Sequence, residues 1–379
     1  DYLGKEVLFP HPSSHTPKTK LRIGYVSRSL RQHSVGWLSR WLFQHHNRER
    51  FEVFSYFINT AIISDFTKRW FVKNSDSSSY FDGNFLGIAE AIYDDKIDIL
   101  IDLDSLTEGS VNSVCSLKPA PIQVTWLGLD ATGMPAMDYF IADPYVLPDD
   151  AQDYYAEKLW RLPQTYIAVD GFEVGISTLR RDQLNIPADA VIYFSSQTAH
   201  KRQPDHIRLQ MRILKETPNS YFLIKGIGNE NSIRDSFSQL AEEEGVNVDR
   251  LRFLPRSPTE QDHRANMQIA DIVLDTFPYN GATTTLETLW LGIPLVTRVG
   301  QQFAARNSYT MMMNAGITEG IAWTDEAYVE WGVRLGKDAH LRQQIRQKLW
   351  QSRQTAPLWN AKQFTHEMET AYQQMWENQ

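Results

Sequence analysis

The sequence predicts an α/β chain of two doubly wound, Rossmann-like domains with parallel sheets, closed by a C-terminal helix. Three observations predict it. Short runs such as Ile97–Ile101 and Ile272–Leu274 are apolar throughout rather than alternating, as in parallel strands covered on both faces. These runs alternate with stretches of helical periodicity in two successive series, and a proline-rich stretch of weak periodicity over 143–186 separates the series. The 379 residues are enough for two domains of ordinary size. The expected divisions are a linker over 1–20, an N-terminal domain over 21–175, a C-terminal domain over 176–355 and a terminal helix over 356–379.

In order, residues 1–20 are rich in Pro, His, Ser and Lys without period. Leu21–Ser27 reads as a strand leading through a polar loop with His33 and Ser34 into a helix carrying Val35, Leu38, Trp41 and Leu42. Ser34 is the expected cap of that helix. Phe51–Ile58 is a second strand, and Ile62–Phe71 and Asn84–Tyr93 are helices, with Asn74–Ser79 between them as a surface loop. Ile97–Asp104, Pro121–Gly128 and Met137–Ala142 are further strands. The second series runs through strand Val191–Phe194, a helix after Pro204, strand Tyr221–Ile224, helix Ser232–Glu244, strand Leu251–Leu254 and helix Glu260–Ile269 to Ile272–Leu274. Phe364, Met368, Ala371 and Met375 form a helical apolar stripe that must pack on something.

Composition narrows the class. Hydrophobic content of 42% and charged content of 22% suit a globular protein, and a net charge of −8 argues against nucleic-acid binding as the main activity. One cysteine, Cys115, excludes a disulfide framework and a multi-cysteine metal site. No apolar run reaches the roughly 18–20 residues that span a bilayer, and no signal peptide is visible, so the expectation is a cytoplasmic protein with no membrane partner. A chain that begins at Asp1 is expected to be a fragment.

The chemistry is concentrated in Ile272–Thr297. A strand runs through a loop with Pro278 and Gly281 into a helix opening on Thr283, Thr284 and Thr285, whose hydroxyls are expected at the N-cap. Such a helix start, just past a parallel strand, offers free N–H groups and a positive dipole end to a phosphate or diphosphate. Glu287 follows one turn later, where a carboxylate can accept from ribose hydroxyls. Alone, the segment is read equally well as an ordinary capped helix. Three other loops could join it: that of His33, a potential proton shuttle; Gln197–Gln203, with His200, Lys201 and Arg202; and Arg256–His263, in which the turn at Pro258 and the ring of His263 could read a base. A lysine in the second could neutralise a departing diphosphate in place of a metal ion. Asp102-Leu-Asp104 resembles the first motif of haloacid-dehalogenase-type phosphatases, but Ser105-Leu106 follows where that motif wants Gly and then Thr or Val, so no metal site is assigned.

Two such domains facing each other across a cleft, with a late helix, also describe the GT-B architecture. Leu21–Ser27 with His33-Ser-Val, Lys118–Gly128 and Leu274–Trp290 resemble the catalytic region of the O-GlcNAc transferase family and of its SPINDLY-type, fucose-transferring branch, over roughly residues 20–376. The resemblance implies a GT-B fold and inverting, metal-independent transfer from a nucleotide sugar, UDP-GlcNAc or GDP-fucose, to Ser or Thr hydroxyls of protein acceptors. It also implies upstream tetratricopeptide repeats and no cofactor. Residue by residue, it implies Lys201, Thr283 and Thr284 on the diphosphate, with Gln197 beside them and Gly281 and Thr285 in the same motif, Glu287 on the ribose and His263 at the base with Pro258. It puts His33 near the sugar, and Gly128, Thr132 and Ala282 around the sugar pocket. The chain departs from the pattern at Ser105-Leu106, where Gly then His or Tyr is common, at Ala282, where the O-GlcNAc branch has His, and at Asn266, where it has Arg. These changes leave the donor open, and a nucleotide-binding scaffold with weak turnover stands as an alternative.

Overall fold

The computed structural model describes residues 9–11, 18–58, 66–226 and 228–378. They divide into two compact units, 1–170 with 360–379, and 171–359. The first unit contains β1 (Leu21–Ser27), α1 (Ser34–His45), β2 (Phe51–Ile58), α2 (Phe66–Lys73), β3 (Ser77–Phe81), α3 (Phe85–Asp94), β4 (Ile99–Asp102), α4 (Gly109–Cys115), β5 (Ile122–Thr125), β6 (Tyr139–Ala142) and β7 (Lys158–Arg161). Its seven strands pair in parallel in the order β3-β2-β1-β4-β5-β6-β7. The order reverses direction between β1 and β4, so the loops leaving those strands splay apart at a crevice, the usual ligand position of a doubly wound sheet.

The second unit contains β8 (Val191–Ser196), α5 (Pro204–Glu216), β9 (Ser220–Lys225), α6 (Glu230–Glu243), β10 (Leu251–Leu254), α7 (Glu260–Met267), β11 (Ile272–Leu274), α8 (Thr283–Trp290), β12 (Leu295–Arg298), α9 (Asn307–Asn314), β13 (Ile321–Ala322), α10 (Asp325–Lys337) and α11 (Ala339–Ser352). The sheet order is β10-β9-β8-β11-β12-β13, again parallel, with the reversal between β8 and β11. The apolar runs that predict β4 and β11 are buried throughout.

Two expectations about elements need correction. Asn74–Ser79 is not all loop, because Ser77–Phe81 is an edge strand paired to β2. Its serines lack the apolar signature since an edge strand is held by backbone bonds and faces water on one side. The 143–186 stretch contains the boundary between the units, after Asp170, and also holds a strand, β7, paired with β6. Residues 1–20 are not simply a linker, because Phe9 is buried in the core with Ile92 and Cys115 and the His11 ring bonds the Lys118 carbonyl at 2.9 Å. Finally, the helix expected from Ile62 is described only from Phe66; 62–65 lie outside the described residues.

The apolar stripe near the C-terminus belongs to α12 (Ala361–Glu377), which returns to the first unit and packs on α1. Phe364 lies 5.6 Å from the Trp126 ring, and a buried polar set fixes the register. The Glu369 carboxylate accepts from Asn47 N–H at 2.7 Å and bonds His46 Nδ1 at 2.9 Å, while His46 Nε2 meets the Tyr25 hydroxyl at 2.6 Å. Glu369→Ala leaves the buried His46 Nδ1 without its partner, so unfolding in urea should show a loss of about 1–3 kcal/mol, with a smaller loss for Glu369→Gln.

Candidate functional site

The sheet reversal in the second unit brings the loops after β8 and β11 together. Asp275 ends β11 at 2% exposure, and its carboxylate draws the loop into a tight turn by accepting from Thr276 N–H at 2.9 Å, Gly281 N–H at 2.8 Å and the Thr297 hydroxyl at 2.8 Å. A Cβ at Gly281 would stand 2.7 Å from both Gln197 Nε2 and Thr285 Oγ1, so a larger residue would push these side chains aside. Lys201 reaches across from that loop. Its Nζ donates to the Asn280 carbonyl at 2.8 Å and lies 3.7 Å from the centre of the Tyr279 ring. Burial lowers its pKa to about 8, with Asp275 opposing the shift.

Helix α8 starts at this turn, but its N-cap is Ala282, not a threonine, and no side chain caps it. Thr283, Thr284 and Thr285 occupy its first turn, whose amides have no carbonyl one turn back. Thr285 is committed inward, its hydroxyl 2.7 Å from that of Ser308, and Thr284 Oγ1 bonds the Ser196 carbonyl at 3.4 Å. Two buried acceptors, Thr283 Oγ1 and Asn280 Oδ1, have no partner among the described residues. The uncapped helix start, the desolvated Lys201 ammonium and the Thr283 hydroxyl, which can donate, are the groups at this turn that suit an anion.

One turn along α8, Glu287 is 3% exposed and pairs with Arg264 Nη1 at 3.2 Å; Arg264 Nε donates to the Glu173 carbonyl at 2.7 Å. Burial raises Glu287 to about 7. His263, between Glu287 and Lys225, is driven to about 3 by burial and by the neighbouring charges of Lys225 and Arg264, so its ring is neutral at pH 7. Lys225 Nζ lies 2.8 Å from His263 Nδ1 and 2.7 Å from Ser257 Oγ. An ammonium only donates, so Nδ1 accepts and the ring proton sits on Nε2, 3.8 Å from Glu287. Pro258 stands between Ser257 and Thr259, the N-cap of α7. Asn266 accepts backbone N–H groups of Thr178 and Leu179, which fixes the segment before β8.

Sequence reading missed Lys225, Arg264 and Asp275. Lys225 and Asp275 each close an apolar run at the carboxyl end of a strand beside the sheet reversal, a signal that could have found them. Arg264 carries no such signal, because its role depends on burial against Glu287.

The remaining candidates lie in the first unit. His33, not Ser34, caps α1: its Nδ1 accepts from Val35 N–H at 3.3 Å, and burial lowers its pKa. The ring proton therefore sits on Nε2, and the free edge of His33 is a donor in this state. Gly128 packs against the Asp104 carbonyl, leaving no room for a Cβ. The Thr132 hydroxyl donates to Glu157 at 2.7 Å, as do the Thr132 and Gly133 amides at 2.8 Å, so it braces its loop.

Asp102 and Asp104 are braces too. Asp102 Oδ1 accepts from the amides of Asp104 and Ser105, and Asp104 accepts from the Ser27 hydroxyl and Arg28 N–H, tying the β4 loop to the end of β1. Among the described residues no group of three or more His, Cys, Asp or Glu side chains is arranged to hold a metal. Burial raises Asp102 to about 7, with the Asp104 charge adding to it, and raises Asp104 to about 6. A carboxyl raised in the folded state contributes stability at low pH that is lost as pH rises from about 4 through the folded value. Thermal melting from pH 4 to 8 should therefore show wild type losing stability relative to Asp102→Asn as pH rises.

Comparison with known proteins decides the family. The family model described as glycosyl transferase family 41 matches residues 3–175 and 173–368. The chain belongs to glycosyl transferase family 41. It is 30% identical over 97% of its length to an Arabidopsis thaliana protein named "probable UDP-N-acetylglucosamine–peptide N-acetylglucosaminyltransferase SEC", and 29% identical over 96% to the tomato (Solanum lycopersicum) protein of that activity name called SPINDLY. It covers 39% of each, so the chain spans about two-fifths of these relatives. A mutant O-GlcNAc transferase of Thermobaculum terrenum superposes with a TM-score of 0.86 at 30% identity, covering 97% of this chain and 70% of that one. The family member described here thus has the α/β GT-B fold of the glycosyltransferases. None of its described helices is long and apolar enough to cross a membrane.

Proposed function

We propose that this chain is the catalytic region of a cytoplasmic, inverting, metal-independent glycosyltransferase that moves a sugar from a UDP-sugar, UDP-GlcNAc in the first instance, to Ser or Thr hydroxyls of proteins. The observation that carries the reading is Lys201, a desolvated ammonium held at the uncapped start of α8 beside unpaired polar atoms. In this reading the diphosphate lies on the first-turn amides, Thr283 and Lys201, with Gln197 and Gly281 shaping its bed. The ribose lies on Glu287, and the base lies by His263 and Pro258. The acceptor hydroxyl attacks the anomeric carbon as the bond to the diphosphate breaks; the diphosphate leaves with the electron pair onto Lys201 and the helix start, and the hydroxyl's proton is released to water. A charge that develops in the transition state meets a preformed cation, which is where electrostatic catalysis is strongest. His33, Gly128, Thr132 and Ala282 are assigned to the sugar side, with His33 as a hydrogen-bond donor.

GDP-fucose is the second donor to test, because Ala282 replaces the histidine of the O-GlcNAc branch and Asn266 its arginine. Radiolabelled UDP-GlcNAc and GDP-fucose, each incubated with the chain, a Ser/Thr peptide library and EDTA, separate the readings. Label from UDP-GlcNAc supports the proposal and label from GDP-fucose transfers it to the other donor. Nucleotide binding without label from either leaves a binding module.

A further inference from the structure

The Asn280–Gly281 peptide group lies between two opposite charges. Its carbonyl accepts from Lys201 Nζ at 2.8 Å, and its N–H donates to Asp275 Oδ1 at 2.8 Å. We propose that Asp275 is a positioning residue that holds the Lys201 ammonium in place and in its protonated form, acting through this single peptide. Burial raises the Asp275 pKa, and four donors around the carboxylate oppose that rise: the amides of Thr276 and Gly281 and the hydroxyls of Thr297 and Ser308. Donors on both oxygens favour the ionised form. Its main chain is fixed as firmly. The Asp275 carbonyl accepts from His206 Nε2 at 2.9 Å, the Tyr328 hydroxyl at 2.9 Å and Gln210 Nε2 at 3.3 Å, which holds the residue's backbone at the turn.

A peptide group polarised from both ends binds both charges more tightly than it would bind either alone. The other ionisable groups around the pair leave Asp275 as the anion that reaches Lys201. His200 and Tyr279 flank the ammonium on its own side. Arg202 donates to the carbonyls of Ser195 and Lys225. His206 is kept neutral by burial, its pKa lowered to about 4. Arg298 pairs with Asp325. Burial works against the Lys201 charge, and Asp275 opposes that loss.

That Lys201 serves a diphosphate rests on the function proposed above; the coupling between Lys201 and Asp275 does not. In Asp275→Asn the side-chain carbonyl still accepts from Gly281 N–H and the amide can donate to Thr297, so the charge is removed with little change of shape. The free protein, carrying lysine labelled with 13C at Cε, is titrated by NMR. In the variant the Lys201 titration is expected to move down by about one pH unit, the low end of the effect of a nearby opposite charge. Inorganic diphosphate and UDP, measured by calorimetry, are expected to bind about fivefold more weakly than to wild type at pH 8 and equally at pH 6, where both lysines are charged. An unmoved Lys201 titration with a loss of affinity that is the same at both pH values means that Asp275 only braces the loop, and overturns the proposal. If Asp275→Asn does not fold, coupling is read from the other end. In Lys201→Met the Asp275 carboxyl, followed by 13Cγ, is expected to titrate higher by a similar amount, since coupling is reciprocal, and an unchanged titration overturns the proposal. Coupled titrations in a wild type that binds neither inorganic diphosphate, UDP nor GDP would leave the relay standing and remove the donor reading.

Discussion

Lys201→Met is expected to lower sugar transfer by about 10²–10³-fold, the loss seen when a single charge-stabilising group is removed from a preorganised site. Lys201 is a cation at the turn between β11 and α8, where its ammonium donates to the Asn280 carbonyl and lies over the Tyr279 ring. Folding gains little from it, since burial works against its charge and lowers its pKa to about 8. Methionine fills similar space without a charge to desolvate. The variant should therefore melt no lower than wild type while losing turnover, a combination that separates a functional lysine from a structural one. The same shift sets a pH signature. The protonated form serves the diphosphate, so nucleotide affinity in wild type should fall as pH rises through about 8, and binding above that pH should take up protons. Initial rates, melting temperatures and calorimetry in buffers of different ionisation enthalpy check the three parts.

Glu287→Ala is expected to act on stability and binding together. Arg264, 2% exposed, would keep its bond to the Glu173 carbonyl but lose its counter-charge, and breaking a buried pair on one side costs about 3–5 kcal/mol. The retained bond points to the lower end of that range. Denaturant unfolding measures this loss. Glu287→Gln, which keeps an acceptor for Arg264, should recover part of the stability while still weakening nucleoside binding, if Glu287 holds the ribose. Inorganic diphosphate, which has no ribose, should bind Glu287→Gln as it binds wild type.

The architecture was legible because buried parallel strands write themselves as unbroken apolar runs. Val191–Phe194 and Ile272–Leu274 are strands as read, and the helix starts at Asn84 and Pro204 follow their cap and N1 residues. Edge elements were not legible. The serines of β3 and the polar ends of β7 have no period to detect, because backbone pairing alone recruits them. At the site, the threonine run gave away the helix start but not its geometry. The cap falls one residue earlier, on Ala282, so the threonines lie in the first turn, and the Thr283 hydroxyl has no partner among the described residues. Lys201 and Glu287 stand in the unit that the motifs assigned to the donor. Their partners Asp275, Arg264 and Lys225 depend on which strands become neighbours, and the β8–β11 adjacency is a property of the sheet rather than of any local segment.

Calorimetric titration of the wild-type chain with UDP and GDP, each set against its monophosphate and run in EDTA, tests the central claim most directly. The account predicts that at least one diphosphate binds about tenfold or more tightly than its monophosphate, a difference of about 1.4 kcal/mol or more supplied by Lys201 and the start of α8. Equal affinities for mono- and diphosphates, or no binding of either diphosphate, would contradict it.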